Sequence, residues 1–239
     1  MIYYIVALNN EDVFNEYLSS HLKDKEERTL LIKDNDNIFK KYNSGINTIQ
    51  KEINDEDIIV FIHEDVKVLD ENFEEKLEYT FSTKKDIGMC GVVGATELKE
   101  CCAWWVNEQD KLVGHIIQES DNKAYHLVKG NVGYSESMIS VDGLMLAIRG
   151  ELINMGLTFI QSFNSFHFYD ISIAIEVLEM GYKIACVDTL LRHKSNGKNF
   201  LTKEWLSSKE KFITLINERN YKFPLTAEQI LRRDNKDEH

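Results

Sequence analysis

Apolar and polar positions along the chain follow two alternating periods. Tyr3 to Leu8 is a short apolar run that stops at Asn9-Asn10, a polar pair suited to a turn and a helix cap. Val13, Phe14, Tyr17, Leu18 and Leu22 then recur on one helical face. Thr29-Leu30-Leu31-Ile32 predicts a second strand, closed by the polar stretch Lys33-Asp34-Asn35-Asp36-Asn37. Ile38, Phe39, Tyr42, Ile46, Ile49 and Ile53 predict a second helix. Ile58-Ile59-Val60-Phe61-Ile62 is apolar on both faces, the pattern of a strand buried in a parallel sheet. Phe73, Leu77 and Phe81 follow at helical spacing, and Ile87 to Ala95 predicts a further strand.

This alternation predicts an α/β fold with a doubly wound, mostly parallel sheet flanked by helices. Such sheets bind ligands at the carboxyl ends of their strands. From about Thr96 to Ser140 the pattern breaks into short strand-like pieces around Trp104-Trp105, an irregular β insertion able to wall a cleft. Val141 to Arg149 restores a strand, and Asp170 to Met180 predicts a helix with Gly181 as its C-terminal cap. Lys183 to Leu191 predicts another strand, ending at Arg192-His193-Lys194-Ser195, and Thr202 to Arg219 a last amphipathic helix. The tail after Pro224 is charged and predicts a frayed end. No repeat or linker divides the chain, so one domain spans 1–239: a first half to about 95, a second from about 96 to 200, and a helix and tail over 201–239.

Composition narrows the function. In 239 residues, 43% are hydrophobic and 28% charged, an ordinary globular balance that excludes wholesale disorder. The net charge of −12 argues against nucleic acid and anionic membranes as partners, because both need a basic surface. No apolar run approaches the ~20 residues of a membrane span, and the start lacks the basic region and long apolar stretch of a signal peptide. Cys90, Cys101, Cys102 and Cys186 make a poor disulfide framework and lack the paired spacing of a zinc site, so a reducing cytoplasm is the expected location.

The strongest chemical pattern is Ile58 to Val66, where a buried strand runs into His63-Glu64-Asp65. On an extended chain His63 and Asp65 share one face and Glu64 points the other way. A carboxylate there reads either as a holder of Mg²⁺ or Mn²⁺ beside a ligand's phosphates or as a solvated acidic turn. Asp170, in Phe166-His167-Phe168-Tyr169-Asp170, reads either as a helix N-cap or as a general base facing a hydroxyl. His193 reads as a metal ligand or a surface histidine. Trp104-Trp105 reads as core, or as one ring offered to a sugar's apolar face.

In their order along the chain these segments resemble the GT-A nucleotide-sugar glycosyltransferases, particularly the large inverting family and its bacterial relatives. IVALNNEDVFNEYLSSHL resembles that family's first strand, Asn-bearing loop and helix, and KDNDNIFKKYNSGIN its acidic second-strand loop and Asn-x-Gly helix. FIHEDV occupies the place of the metal-binding D-x-D segment. VDGLMLAIRGEL and FHFYDISIAIEVLEMGYKIACVDTLLRHKS resemble the strand lining the sugar cleft and the base helix with its terminal metal-binding His. The similarity covers roughly residues 2–195.

The resemblance implies a metal-dependent, non-processive, inverting glycosyltransferase using a nucleoside-diphosphate sugar, UDP favoured, in bacterial glycan or surface-polysaccharide synthesis. It implies Asp170 as catalytic base, Asp65 and His193 as ligands of Mn²⁺ or Mg²⁺, and Asn9, Asn10, Glu11, Asp34, Asn43, His63, Glu64, Asp142 and Gly143 around the nucleotide-sugar. Trp104, Trp105, His167 and Tyr169 are the acceptor candidates, for a glycan or glycolipid. Partners could also place the protein at the inner face of a membrane, and the C-terminal helix could serve a homodimer. Three departures stand out. His63 replaces the first acid of D-x-D, Tyr169 the first of the acidic pair before the helix, and Ser172 an acid two residues on. They leave a second expectation, a non-catalytic nucleotide-sugar-binding subunit. A nucleotidyltransferase ranks last, because Leu8-Asn9-Asn10-Glu11 is not a glycine-rich loop.

Overall fold

The computed structural model describes residues 1–239 except 35, 122, 164, 196–199 and 235–239. Asn35 of the predicted turn and the end of the tail therefore lie outside the described residues. In chain order, β1 (Ile2–Ala7) leads through α1 (Glu11–Tyr17) and the short α2 (Ser19–Leu22) to β2 (Thr29–Ile32). Next come α3 (Ile38–Ile49), β3 (Ile58–Ile62), β4 (Val66–Val68), α4 (Phe73–Thr83), β5 (Ile87–Gly91) and β6 (Val93–Ala95). The middle of the chain forms a hairpin of β7 (Leu112–Ser120) and β8 (Lys123–Val128), then β9 (Ser140–Val141), β10 (Met145–Arg149) and α5 (Gly150–Asn154). The rest is α6 (Tyr169–Glu179), β11 (Lys183–Cys186), β12 (Leu191–Lys194), α7 (Lys203–Glu218) and α8 (Ala227–Asp234).

The main six-stranded sheet has the order β11-β5-β10-β3-β1-β2. β1 pairs in parallel with both β2 and β3, and only β10 runs against its neighbours β3 and β5. From β1 the chain steps out to β2 and then back across to β3, so the order reverses beside β1. That is the place where a doubly wound sheet opens a ligand crevice. The reversed β10 matters for the same edge. Its first residue, Met145, pairs with Ile62, the last residue of β3, so the loop before β10 arrives where β3 ends.

A second sheet, β4-β12-β7-β6-β9 with β8 beside β7, leans on that edge. The predicted strand from Lys183 to Leu191 is in fact two. β11 ends at Cys186, and β12 begins at Leu191 in the second sheet. The predicted Ile87–Ala95 strand likewise divides into β5 and β6, which belong to different sheets. The helix over Thr202 to Arg219 is also not the last. Leu225 exchanges backbone hydrogen bonds with Leu98, at 2.8 and 2.9 Å, and α8 follows with Ile230 fully buried. Among the described residues no helix is long and apolar enough to cross a membrane.

Candidate active site

The crevice is built by the chain leaving one sheet for the other. After Ile62 the backbone of His63 still bonds the main sheet, its N–H donating to Leu144 O at 3.0 Å. Three residues later Val66 enters β4 and lies opposite His193 of β12. Lys194 N–H donates to Asp65 O at 3.0 Å and closes the join. The side-chain alternation expected for His63-Glu64-Asp65 follows. His63 Nδ1 lies 3.8 Å from Asp65 Oδ1, and His193 Nε2 lies 3.5 Å from that same oxygen.

Glu64 points the other way and accepts the backbone N–H groups of Asn9 and, at 3.0 Å, Asn10. It therefore braces the loop after β1. Lys41 of α3 grips that loop from the opposite side, donating to Leu8 O at 2.9 Å and to Asn9 Oδ1 at 2.6 Å.

His63, Asp65 and His193 form the one group among the described residues whose side chains could jointly hold an ion, with all three donor atoms within 4.8 Å of one another. The donor set fits a divalent cation. Asp65 Oδ1 is buried and has no hydrogen-bond partner among the described residues, a costly state that a cation would relieve. Burial, aided by His193, holds the His63 imidazole down to about 3, so it stays neutral and keeps a lone pair. Burial raises the Asp65 carboxyl, while His193 pulls it the other way. Imidazole nitrogen with carboxylate oxygen suits a first-row ion such as Mn²⁺.

Asp170 reaches the same sheet edge from α6, bonding Gly143 next to Leu144, whose carbonyl accepts the His63 N–H. Asp170 is not the helix cap. Phe168, at φ 69°, holds the N-cap position of α6, and Asp170 lies inside the first turn. Asp170 Oδ1 accepts Ile171 N–H at 2.9 Å, and Oδ2 accepts Gly143 N–H at 3.3 Å. Desolvation, with help from neighbouring Asp142, pushes this carboxyl up to about 7 against the pull of those amides. A half-buried carboxylate tuned to neutrality has the proton affinity of a general base. Asp142 itself turns its Oδ1 back to Leu144 N–H at 3.0 Å.

Gly143 is fixed by packing. A Cβ there would stand 2.0 Å from Tyr169 Oη. Gly143→Ala is expected to lower stability by about 1–3 kcal/mol, the cost of overpacking a filled site. Equal unfolding midpoints for the two proteins in urea would exclude that packing.

The other predicted residues separate into those at the cavity and those away from it. A cavity of about 320 Å³ is lined by Asn9, Asn37, Lys41, His63, Asp65 and Phe166, among others. Asp34 lies exposed just before the Asp36-Asn37-Ile38 stretch of that wall. Asn10 caps α1, accepting Asp12 and Val13 N–H, and exposed Glu11 pairs with Lys33 at 2.6 Å. Asn43 is not brought to the cavity wall. Both ends of its amide are committed to the Phe159 backbone, each at 2.8 Å.

Trp104 is buried and Trp105 is 38% exposed. An edge-to-face series runs from Trp105 through Phe200 to Trp205, which packs on Phe168, so the second indole joins the rim beside α6. His167 is half-buried, and Tyr169 is buried with its hydroxyl on His63. Arg192 and Lys194 flank His193 on β12 and so take the opposite face, toward Glu119 and Glu16.

Sequence reasoning missed Lys41 and Phe166 and placed His63 outside the metal set. Lys41 did leave a trace, as a charge on the otherwise apolar stripe of α3. Phe166 leaves none beyond being one more aromatic. Its ring centroid lies 5.6 Å from that of His63, and the side chain is 46% exposed.

A family model described as "Glycosyltransferase like family" matches residues 3–224. No curated protein matches the sequence. Among solved structures, the crystal structure of GalNAc-T7 with UDP, GalNAc and Mn²⁺ is similar at 10% identity and a TM-score of 0.56, over 88% of this chain and 41% of that one. The mannosyltransferase PcManGT from Pyrobaculum calidifontis, in complex with GDP-Man and Mn²⁺, is similar at 11% identity and a TM-score of 0.50, over 83% of this chain and 58% of that one. At such identities the likeness is one of fold, and the chain spans less than two thirds of either protein.

Proposed function

The chain belongs to the glycosyltransferase-like family, and on that premise we propose that it transfers a sugar from a nucleoside-diphosphate donor to an acceptor hydroxyl with inversion. The observation that carries this reading is the pairing, at one sheet edge, of an unpartnered buried carboxylate between two imidazoles with a second carboxylate held near neutrality.

Asp170 takes the proton of the acceptor hydroxyl. The freed oxygen forms the new bond to the sugar's anomeric carbon as the bond to the diphosphate breaks, and that electron pair leaves with the diphosphate. A single displacement of this kind inverts the configuration. His63, Asp65 and His193 would hold the divalent ion, which when bound neutralises charge on the departing diphosphate. The two structural neighbours hold UDP or GDP-mannose together with Mn²⁺, which supports Mn²⁺, with Mg²⁺ as the alternative.

The loop Asn9-Asn10-Glu11 and Asp34 serve the base and ribose, UDP being the favoured donor class. Glu64, which lines the cavity, serves that site and braces the loop, while Asn43 serves it indirectly by bracing α3. Asp142 and Gly143 lie beside the sugar, with Trp105 and His167 on the acceptor side for a glycan or glycolipid. A single addition in bacterial surface-polysaccharide synthesis, in the cytoplasm, completes the proposal.

The test is incubation with labelled UDP- and GDP-sugars, Mn²⁺ and a panel of glycan and glycolipid acceptors. A product whose new linkage is inverted relative to the donor is expected. A retained linkage would remove the single displacement, and a protein that binds donor without transfer or hydrolysis would be a binding subunit.

The pH profile gives a second readout. Only ionised Asp170 can accept the proton, so kcat/KM is expected to fall about tenfold per pH unit below about 7 and to level off above it. A flat profile between about pH 5 and about pH 8 would take the base role from Asp170.

A further inference from the structure

Tyr169 is buried against Phe39 and Tyr42, ring centroids 6.2 and 5.8 Å away, and carries one polar atom. That atom, Oη, meets His63 Nε2 at 2.5 Å. The other ring nitrogen of His63, Nδ1, is the one that faces Asp65 Oδ1 and the donor cluster. A neutral imidazole carries a single proton, so only one nitrogen can offer a lone pair. Which one does so is decided by the hydrogen bond at the other.

We propose that Tyr169 is a positioning residue that holds the ring proton of His63 on Nε2 and so keeps the Nδ1 lone pair turned toward the cation. The inference rests on the metal reading given above. When Nδ1 ligates, Nε2–H donates to Oη and the phenol hydrogen rotates away from His63, so no proton is gained or lost.

The surroundings hold the phenol in place. Gly143 leaves room for Oη that no larger residue would leave, and Phe39 and Tyr42 pack the ring. The same turn carries Asp170, whose Oδ2 accepts the Gly143 N–H. One short segment thus supports a metal ligand through its first residue and presents the proposed base with its second.

Two measurements test this on the full chain. The first is calorimetric titration with Mn²⁺ of the wild type and of Tyr169→Phe, which keeps the ring. Loss of an outer hydrogen bond to a ligating His typically costs 10–100-fold in metal affinity, and a loss of about that size is expected at an unchanged melting temperature.

The second is nitrogen NMR of histidine-labelled wild type loaded with Zn²⁺, with His63 assigned from the spectrum of His63→Gln. His63 is expected as the Nε2–H tautomer with Nδ1 shifted by the metal. Equal Mn²⁺ affinity in folded Tyr169→Phe, or an Nδ1–H tautomer in the loaded wild type, would overturn the inference while leaving the metal site standing. A wild type that binds neither ion would overturn both. Should Tyr169→Phe not fold, the tautomer in the wild type decides the matter alone.

Discussion

Asp170→Asn is expected to bind donor as the wild type does and to transfer sugar at a rate lower by about 10²-fold or more, the scale of a lost general base. An amide of the same shape keeps one oxygen, which can accept either the Ile171 or the Gly143 N–H, and gives up the other of the two bonds that now hold the carboxylate, so the turn should persist with one tie fewer. Stability gives an internal control. The folded protein holds the Asp170 proton up to about 7, whereas the unfolded chain releases it near the ordinary Asp value. Stability from this group is therefore full below that ordinary value and is lost as pH rises through about 7. Asn carries no charge at any pH, so the melting temperature of the variant relative to the wild type is expected to rise as pH rises through that window. Slow transfer by a stable variant that binds donor is the signature of a missing base. Wild-type turnover with an accepted substrate would exclude the role.

The second large effect is expected at Asp65. Its Oδ1 faces both His63 Nδ1 and His193 Nε2 and has no other partner among the described residues. Removing the charge removes the anion at the centre of the set. Outer-sphere partners of metal ligands are worth 10–100-fold in affinity, so losing a direct ligand should weaken Mn²⁺ binding by at least that much. Asp65→Asn nearly preserves shape and volume, which separates the loss of charge from a packing defect. Because the ion would neutralise the donor's diphosphate, donor affinity in the variant should no longer respond to Mn²⁺. Equal Mn²⁺-dependent donor affinity in Asp65→Asn and wild type would take Asp65 out of the metal site.

Much of this site could be read before any coordinates, for a simple reason. Strand alternation places His63 with Asp65 and sends Glu64 away, and that rule holds here although the segment leaves β3 just before it. One polar cap was legible too. Asn10, of the pair suited to a cap, does cap α1, whereas the cap of α7, Thr202 accepting Trp205 N–H, lies inside the range that the pattern predicts as helix. The α/β architecture followed from a buried apolar strand between amphipathic helices and its GT-A likeness from the resemblance of the ordered segments, and both were borne out.

Strand direction was not legible. β10 is buried on both faces like its parallel neighbours, so its side chains carry no mark of its reversal. The break between β11 and β12 was hidden for a related reason. The apolar pattern continues through Val187 and Leu190, while the turn is set by distant partners, with Thr189 Oγ1 donating to Asp70 Oδ2 at 3.0 Å. Asn43 is expected near the ligand only because the Asn-x-Gly helix of the family resemblance implies it. Its place on α3 opposite Phe159 is a tertiary fact with no local trace. The charged tail concealed α8, whose buried contribution rests on Ala227 and Ile230 against α6 and β11.

The most direct test of a metal-dependent donor site is calorimetric titration of the wild-type protein with UDP and with GDP, each in the presence and absence of Mn²⁺. One nucleotide is expected to bind with Mn²⁺ present and to lose most of its affinity without it. Equal affinity with and without the ion, or no binding of either nucleotide by folded protein, would contradict the site built on His63, Asp65 and His193.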